Sequence, residues 1–177
     1  MQELEAGLEK VRQAPKDGGC LELIVRRPQT GERDVVQKAE LSLSEGLVGD
    51  NWKMRGSTRT GDGTAHPDLQ LTIMNARAIA LLAREKALWQ LAGDQLFIDM
   101  DLSAANVTAG TRLEIGSALI EVTNEPHTGC KKFAARFGDS ALQFVNSTIG
   151  RELRLRGINA KVVRPGLIQV GDVVKKA

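Results

Sequence analysis

The sequence predicts a mainly β fold: a β-barrel of short, mostly antiparallel strands with about three peripheral α-helices. Short alternating apolar segments recur from Cys20 onward, glycine-containing turns separate them, and three segments have the helical spacing of apolar residues. Many short antiparallel strands in an open sheet leave unpaired edges, and closure removes those edges. A closed or nearly closed barrel is therefore the simplest architecture.

Length and composition predict one domain. The 177 residues are 42% hydrophobic and 26% charged, and neither a repeat nor a Pro-rich or Ser-rich linker divides them. We expect an N-terminal helix and lead-in over residues 1–18 and the barrel over 19–177. No apolar run approaches the roughly 20 residues of a membrane-spanning helix, and residues 1–13 carry three glutamates where a secretory signal would be basic and then apolar. A cytoplasmic protein is expected.

The first elements follow from apolar spacing. Leucines and a valine at helical spacing over residues 4–11 predict a short helix that ends before Pro15. Leu21, Leu23 and Val25 alternate along the next segment, which predicts a strand with these three side chains on one face. A second strand is predicted over residues 35–41.

A long polar segment interrupts this pattern. Residues 44–68 contain five glycines and exceed the usual length of a simple connection. We interpret the segment as a partly mobile binding loop, with 46–50 as its ordered start and with Arg55 and Arg59 as contacts for an anion.

The second half of the chain mixes strands with two helical regions. Asn75 is predicted to cap a helix that continues through Leu91 and ends at Gly93, and a second helical region runs from Cys130 to Gly150. The predicted strands cover 69–73, 96–100, 111–115, 118–124, 160–163 and 167–174, with a hairpin turn at Gly116-Ser117.

Charge is distributed unevenly. Residues 131–177 hold ten Lys or Arg against three acidic residues, a net charge of +7. Because the whole chain has a net charge of +2, the first 130 residues carry a net charge of −5. Such a basic end attracts an anionic small molecule or a nucleic acid, unless it is only a solvated face. With no Tyr, four Phe and two Trp, the chain lacks the aromatic positions of a base-stacking surface, so we expect no nucleic acid.

The segment Pro126-His127-Thr128-Gly129-Cys130-Lys131 carries the strongest chemical signal. It places a thiol near an imidazole and an ammonium in a chain with two cysteines and two histidines. Cationic neighbours favour the thiolate, which is both a nucleophile and a soft-metal ligand. His127 could remove the thiol proton or donate a hydrogen bond to a ligand, or its only role could be to fix the loop. Gly129 could present its N–H to an anion, or it could only form a turn. A buried, inert Cys130 is the alternative.

Other motif interpretations are weaker. Five residues separate Cys130 from Arg136, as in cysteine phosphatases, but the intervening segment has no glycine and no His directly precedes the Cys. A zinc site would need two ligands beyond His127 and Cys130, and none stands at ligand-pair spacing. Nucleotide triphosphate binding has no supporting motif. In a reducing compartment we expect Cys20 and Cys130 to be free thiols.

Four sets of motifs remain: Gly46-Leu47-Val48-Gly49-Asp50; Gly93-Asp94-Gln95-Leu96 leading into Asp101-Leu102-Ser103-Ala104-Ala105-Asn106; Pro126-His127-Thr128-Gly129-Cys130; and Arg156-Gly157-Ile158 with Gly166-Leu167-Ile168-Gln169-Val170-Gly171-Asp172. Together they resemble the MOSC domains, named for the carboxy-terminal domain of molybdenum-cofactor sulfurases. The resemblance covers nearly the whole chain.

This resemblance implies a β-barrel and a reactive Cys130, acting as a molybdenum ligand or as a persulfide that carries sulfur. His127 would assist Cys130 in catalysis. The other residues assigned to molybdenum-cofactor binding are Asp50, Asn106, Thr128, Gly129, Lys131, Arg136 and Arg156, with Arg151 and Arg154 as further contacts for the phosphate. Asp50 and Asn106 could bond the pterin ring or only cap backbone.

Three functions stay open at this point. The first is an oxidoreductase, similar to the mitochondrial amidoxime-reducing component, which reduces N-hydroxylated compounds with electrons from a partner protein. The second is a carrier of cofactor or sulfur, supplied by a separate cysteine desulfurase because the chain has no pyridoxal-phosphate motif. The third is an interaction module with a structural Cys130. No membrane partner is expected.

Overall fold

Eleven strands form two sheets among residues 2–177, the part of the chain that the computed structural model describes. They are β1 (Gly19–Arg26), β2 (Asp34–Val36), β3 (Lys38–Ser42), β4 (Gly46–Leu47), β5 (Leu71–Asn75), β6 (Leu96–Asp99), β7 (Arg112–Ile115), β8 (Ala118–Val122), β9 (Ile158–Arg164), β10 (Gly166–Gln169) and β11 (Val173–Lys176).

Seven of these strands close into a barrel. Their order is β11-β7-β8-β9-β5-β6-β1, and pairing of β1 with β11 completes the ring. Strand β2 continues along the edge of β1 beyond β11, and β10, β3 and β4 form a separate small sheet. The pair β5–β6 is parallel and the other pairs are antiparallel. The predicted barrel is confirmed.

Seven α-helices surround the barrel in the described part of the chain. They are α1 (Gln2–Ala6), α2 (Leu8–Arg12), α3 (Trp52–Arg55), α4 (Ala76–Ala83), α5 (Lys131–Phe137), α6 (Asp139–Asn146) and α7 (Thr148–Glu152), and 3-10 helices cover Pro67–Leu69 and Lys86–Ala92. None of the helices within residues 2–177 offers an apolar stretch long enough to cross a bilayer.

The three predicted helical regions all occur, but each is divided, so the prediction of about three helices was too low. Gly7 separates α1 from α2, and Gly138, with φ of 89°, separates α5 from α6. The helix capped by Asn75 ends at Ala83, just before Arg84, which has a positive φ of 56°, and a 3-10 helix then covers Lys86–Ala92, just before Gly93. Apolar periodicity persists through such breaks because the short helices cover the same barrel surface.

Two apolar clusters fill the molecule. One lies inside the barrel, and the other lies between the barrel wall and the helices. Strand β1 serves both, but not as predicted: Leu21 and Ile24 face the interior, whereas Leu23 and Val25 pack under the helices. A β-bulge between Leu21 and Leu23 in the pairing with β6 shifts the alternation by one residue. The prediction that Leu21, Leu23 and Val25 share a face was therefore wrong.

Candidate functional site

A cavity of about 250 Å³ opens beside Cys130. Six parts of the chain form it: the loop after β1, the region of α3, strand β5, the end of the second 3-10 helix, the loop from β8 into α5 together with α5 itself, and the turn before β9. The polar and charged residues among its lining are Arg27, Gln29, Thr30, Arg33, Asn51, Arg55, Thr72, His127, Cys130, Lys132, Arg136 and Arg156. We call it the thiol cavity.

The thiol cavity is strongly cationic. Six of its residues are Arg or Lys, and Arg33, Arg55, Lys132 and Arg136 have no carboxylate partner within ion-pair distance among residues 2–177. Burial and the charges of Arg136 and Arg27 lower the pKa of Arg33. Burial and Arg27 likewise lower the pKa of Arg55. Cations held this close favour an anion between them.

Asp50 holds Arg27 in the wall of this cavity. Its carboxylate, which has no solvent exposure, accepts hydrogen bonds from Arg27 Nε at 2.8 Å and Nη2 at 2.7 Å, from the Arg27 backbone N–H at 2.8 Å, and from the Trp52 backbone N–H at 3.0 Å. Gln95 Nε2 adds a fifth bond at 3.1 Å. These donors use the capacity of the carboxylate, so Asp50 positions Arg27 and does not offer its own oxygens to a ligand.

A second buried carboxylate, Asp94, joins His127 to Arg156. Its Oδ1 lies 2.7 Å from His127 Nε2 and its Oδ2 lies 2.5 Å from Arg156 Nη1. Arg156 also donates to the Ala92 carbonyl at 3.0 Å and stacks its guanidinium 4.9 Å from the centre of the Phe133 ring. Asp94 has no solvent exposure and the Arg156 side chain has 8%. The three side chains form one buried polar unit.

The protonation of this unit follows from its surroundings. Burial raises the pKa of Asp94, but Arg156 and the hydrogen bond from His127 outweigh it and hold that pKa below the ordinary 3.8. Burial and the Arg156 charge lower the pKa of His127 below 6.5, against the opposing effect of Asp94. His127 is therefore neutral at pH 7 and donates its Nε2–H to Asp94, which leaves Nδ1 as a hydrogen-bond acceptor.

Cys130 lies at the rim of the thiol cavity, exposed, as the residue before α5. The preceding loop is fixed by Asn146 of α6, which accepts from the Gly129 N–H at 2.9 Å and donates to the Gly129 carbonyl at 3.1 Å. A Cβ on Gly129 would lie 2.8 Å from Leu142 Cδ1 and 2.9 Å from Val145 Cγ2. Gly129 therefore allows close packing on α6, and its N–H is already bonded.

The two cysteines differ in environment. Both are free thiols, but Cys20 is half-buried in β1, and burial together with Glu22 raises its pKa. Cys130 is the exposed one, on the cavity rim.

The structure sorts the predicted ligand contacts into separate places. Arg136 and Arg156 line the thiol cavity, and Arg136 also donates to the Leu91 carbonyl at 2.7 Å. Lys131 is exposed and does not line it. Thr128, Arg151 and Arg154 line a different cavity.

Two other predicted contacts are occupied elsewhere. Asn106 donates to the carbonyls of Lys16 at 2.9 Å and Asp101 at 2.7 Å and accepts from Lys176, with no residue of the thiol cavity among these partners. Arg59 pairs with Glu125 at 2.6 Å, whereas its predicted companion Arg55 does line the thiol cavity.

Several cavity residues were missed by sequence reasoning. Arg27, Arg33 and Asn51 lie in the first 130 residues, whose net negative charge drew attention to the basic end instead. Asp94 does not line the cavity but pairs with Arg156 of its wall, and the sequence showed it only as part of a family motif. The sequence did contain a signal for these arginines. Asp50 and Asp94 lie next to glycines in the quoted motifs, and a carboxylate that becomes buried there requires a cationic partner.

Fold and site together define a small closed β-barrel protein with a cationic cavity around an exposed thiol. The chain belongs to the MOSC domain family, whose sequence profile matches residues 60–175, more than half of its length. This family is associated with binding of the molybdenum cofactor.

Solved structures agree on the fold. The chain is similar to YuaD from Bacillus subtilis (18% identity, TM-score 0.61, 89% of this chain and 94% of that one). It is also similar to YiiM from Escherichia coli (23% identity, TM-score 0.57, 89% of this chain and 69% of that one). A third similar structure is YiiM from Geobacillus stearothermophilus (13% identity, TM-score 0.54, 90% of this chain and 73% of that one). At these identities the likeness establishes the fold alone. Functionally curated proteins provide no sequence match.

Proposed function

We propose that this chain binds the molybdenum cofactor in the thiol cavity, with the Cys130 thiolate as the protein ligand to the metal. The observation that carries the proposal is an exposed thiol at the rim of a cavity in which four cations lack a carboxylate partner within the described residues. An anionic, thiophilic ligand satisfies both features at once.

The residues present fit this group. Two buried polar atoms of cavity residues, Arg156 Nε and Asn51 Oδ1, have no hydrogen-bond partner in the described structure. The first suits an anionic or carbonyl oxygen, and the second suits an N–H donor such as those of a pterin. No cluster of three His, Cys, Asp or Glu side chains able to hold a metal occurs within residues 2–177. A metal delivered within a cofactor needs only one protein ligand.

When bound, the cofactor would supply two-electron redox chemistry at its metal. The protein residues would then have three tasks: Cys130 holds the metal, Arg33, Arg55, Lys132 and Arg136 bind the phosphate, and neutral His127 accepts a hydrogen bond at Nδ1. Asp94 keeps His127 in that tautomer. Asp50 keeps Arg27 in the wall.

As an oxidoreductase, the protein would act on N-hydroxylated compounds. Reduction of an N–OH compound to the amine consumes two electrons and two protons and releases water. The proposal therefore includes an electron-transfer protein as partner. The exposed cations around the cavity would favour an anionic partner surface.

A second candidate function is sulfur transfer, favoured by the exposure of Cys130. The Cys130 thiolate would attack the outer sulfur of a persulfide on a cysteine desulfurase. A new S–S bond forms at Cys130 while the donor S–S bond breaks, and the donor cysteine leaves as a thiolate. This route needs no metal.

One preparation tests both functions. Wild type, Cys130→Ser and the matched control Cys20→Ser are purified without oxygen from a cofactor-making host, and molybdenum, oxidised pterin and intact mass are measured. Metal and pterin that are lost in Cys130→Ser but kept in Cys20→Ser would support the cofactor proposal. A mass increase of about 32 Da on Cys130 without metal would support sulfur transfer instead. Neither signal in any sample would contradict both and favour the interaction module.

A further inference from the structure

A second cavity of about 400 Å³ adjoins the thiol cavity. His127 and Arg156 line both, so these two residues lie between them. The second cavity is lined by Thr128, Arg151 and Arg154, which the thiol cavity does not include. We call it the arginine cavity.

Charge in the arginine cavity is unbalanced. Three arginines line it and no acidic side chain does. Asp94 compensates Arg156, but Arg151 and Arg154 have no carboxylate within ion-pair distance in the described part of the chain. Exposed arginines without partners are common, whereas an unpartnered charge becomes more costly as it is removed from solvent.

Arg154 is half-buried. Its Nη1 donates to the Val107 carbonyl, which leaves donors of the guanidinium for another acceptor. Its backbone φ is 48°, a left-handed conformation that costs free energy in a residue other than glycine. Burial lowers its pKa, in agreement with a partly dehydrated cation. The turn after α7 thus holds a cation in a strained conformation at the cavity.

The remaining lining limits what can bind. Val145 and Ile158 are buried apolar side chains, and Gly150 and Gly157 are positions without a Cβ. A Cβ on Gly157 would overlap the Ile73 carbonyl and lie 3.2 Å from His127 Cδ2. Close backbone packing therefore forms one side. The charged donors come from α7 and its following turn, and the Thr128 hydroxyl is a neutral donor.

We propose that the arginine cavity is a binding site for a small oxyanion of the phosphate or sulfate type. Arg154 and Arg151 supply charge-assisted hydrogen bonds, and Thr128 supplies a hydroxyl donor. An anion there changes the electrostatic potential at His127 and Arg156, and so links the site to the thiol cavity. The proposal does not depend on cofactor binding.

The test is a titration of the cofactor-free full chain with inorganic phosphate and, separately, sulfate at constant ionic strength, followed by amide NMR. We expect saturable shifts at Thr128, Gly150 and Gly157. Arg154→Gln should weaken the apparent affinity about tenfold, and Arg151→Gln should weaken it less because that side chain is exposed.

Arg164→Gln is the matched control, since it also removes one exposed arginine but lines neither cavity. It should leave the affinity unchanged. If all three variants weaken the apparent affinity equally, the effect comes from general surface charge and the proposal is overturned. Chemical-shift changes confined to Gly93 and Cys130 of the thiol cavity would also overturn it. The NMR spectrum of each variant reports its folding, and Arg151→Gln keeps the test valid if Arg154→Gln unfolds.

Discussion

At the residue scale, two buried carboxylates define the chemistry of the thiol cavity. Asp50 and Asp94 each hold one arginine in its wall, and neither is exposed. This arrangement neutralises the cations that are buried and leaves the more accessible ones for a ligand. The carboxylates therefore act on function through the residues they position.

Asp94→Asn tests this role. The change leaves Arg156 buried without its counterion, so we expect a loss of about 3 kcal/mol in the free energy of unfolding. The free energy is measured by urea denaturation. Asp34→Asn is the control, because both side chains of the Arg26–Asp34 pair are partly exposed, at 35% and 46%, and the pair should contribute about 1 kcal/mol or less. Equal losses in the two variants would contradict the importance of burial.

Thiol reactivity is a second prediction at this scale. Cys130 is exposed, whereas Cys20 is half-buried with a raised pKa. We expect iodoacetamide at pH 7 to label Cys130 at least about tenfold faster than Cys20. Rates are followed by intact mass in Cys20→Ser and Cys130→Ser, each of which retains one thiol. Similar slow rates would exclude an accessible, reactive Cys130.

At the element scale, α6 fixes the loop that carries the thiol. Asn146 makes two hydrogen bonds to Gly129, and the α6 side chains pack where a Cβ would stand. The division of the predicted helix over 130–150 into α5, α6 and α7 is what allows this contact, since α6 turns back toward the loop before α5.

Asn146→Ala should release the loop. Loss of two partly buried hydrogen bonds should lower the free energy of unfolding by about 1 to 2 kcal/mol and speed hydrogen exchange of the Gly129 amide. Gln143→Ala is the control, since Gln143 is exposed on the same helix. Unchanged protection of the Gly129 amide in Asn146→Ala would show that packing alone fixes the loop.

At the scale of the whole molecule, the barrel brings the two halves of the charge distribution together. Arg27, Arg33 and Arg55 come from the acidic portion of the sequence, while Lys132 and Arg136 come from the basic end. Closure by the β1–β11 pairing joins the two ends of the chain. The stability of this assembly is coupled to pH through its buried titratable groups.

Stability should fall on acidification below about pH 6.5. Burial and Arg156 lower the folded-state pKa of His127 below 6.5, with Asp94 opposing and Arg27 adding to the effect. Between the two pKa values the unfolded chain binds the additional proton, so lower pH favours unfolding. The lowered pKa of Asp94 adds a further loss below about 3.8.

The measurement is the urea midpoint between pH 7 and 5. His127→Asn keeps a donor for Asp94 but cannot titrate, so its midpoint should change less over this range. A wild-type slope in His127→Asn would contradict the assignment.

Local sequence signals predicted those features that depend on neighbouring residues. The hairpin at Gly116, the cap at Asn75, the strand segments and the segment containing Cys130 all depend on residues close in sequence. The barrel followed from strand number and from the family motifs. The β1 bulge could not be predicted, because it exists only in the pairing with β6.

The sequence by itself determined the family, the barrel and the segment that contains the thiol, since these depend on short-range patterns. The tertiary structure decided which charges meet. It paired Asp50 with Arg27 and Asp94 with His127 and Arg156, and it separated Arg136 from Arg151 and Arg154 into two cavities. Ion pairs between distant segments depend on chain closure in three dimensions, and spacing along one sequence does not encode that distance.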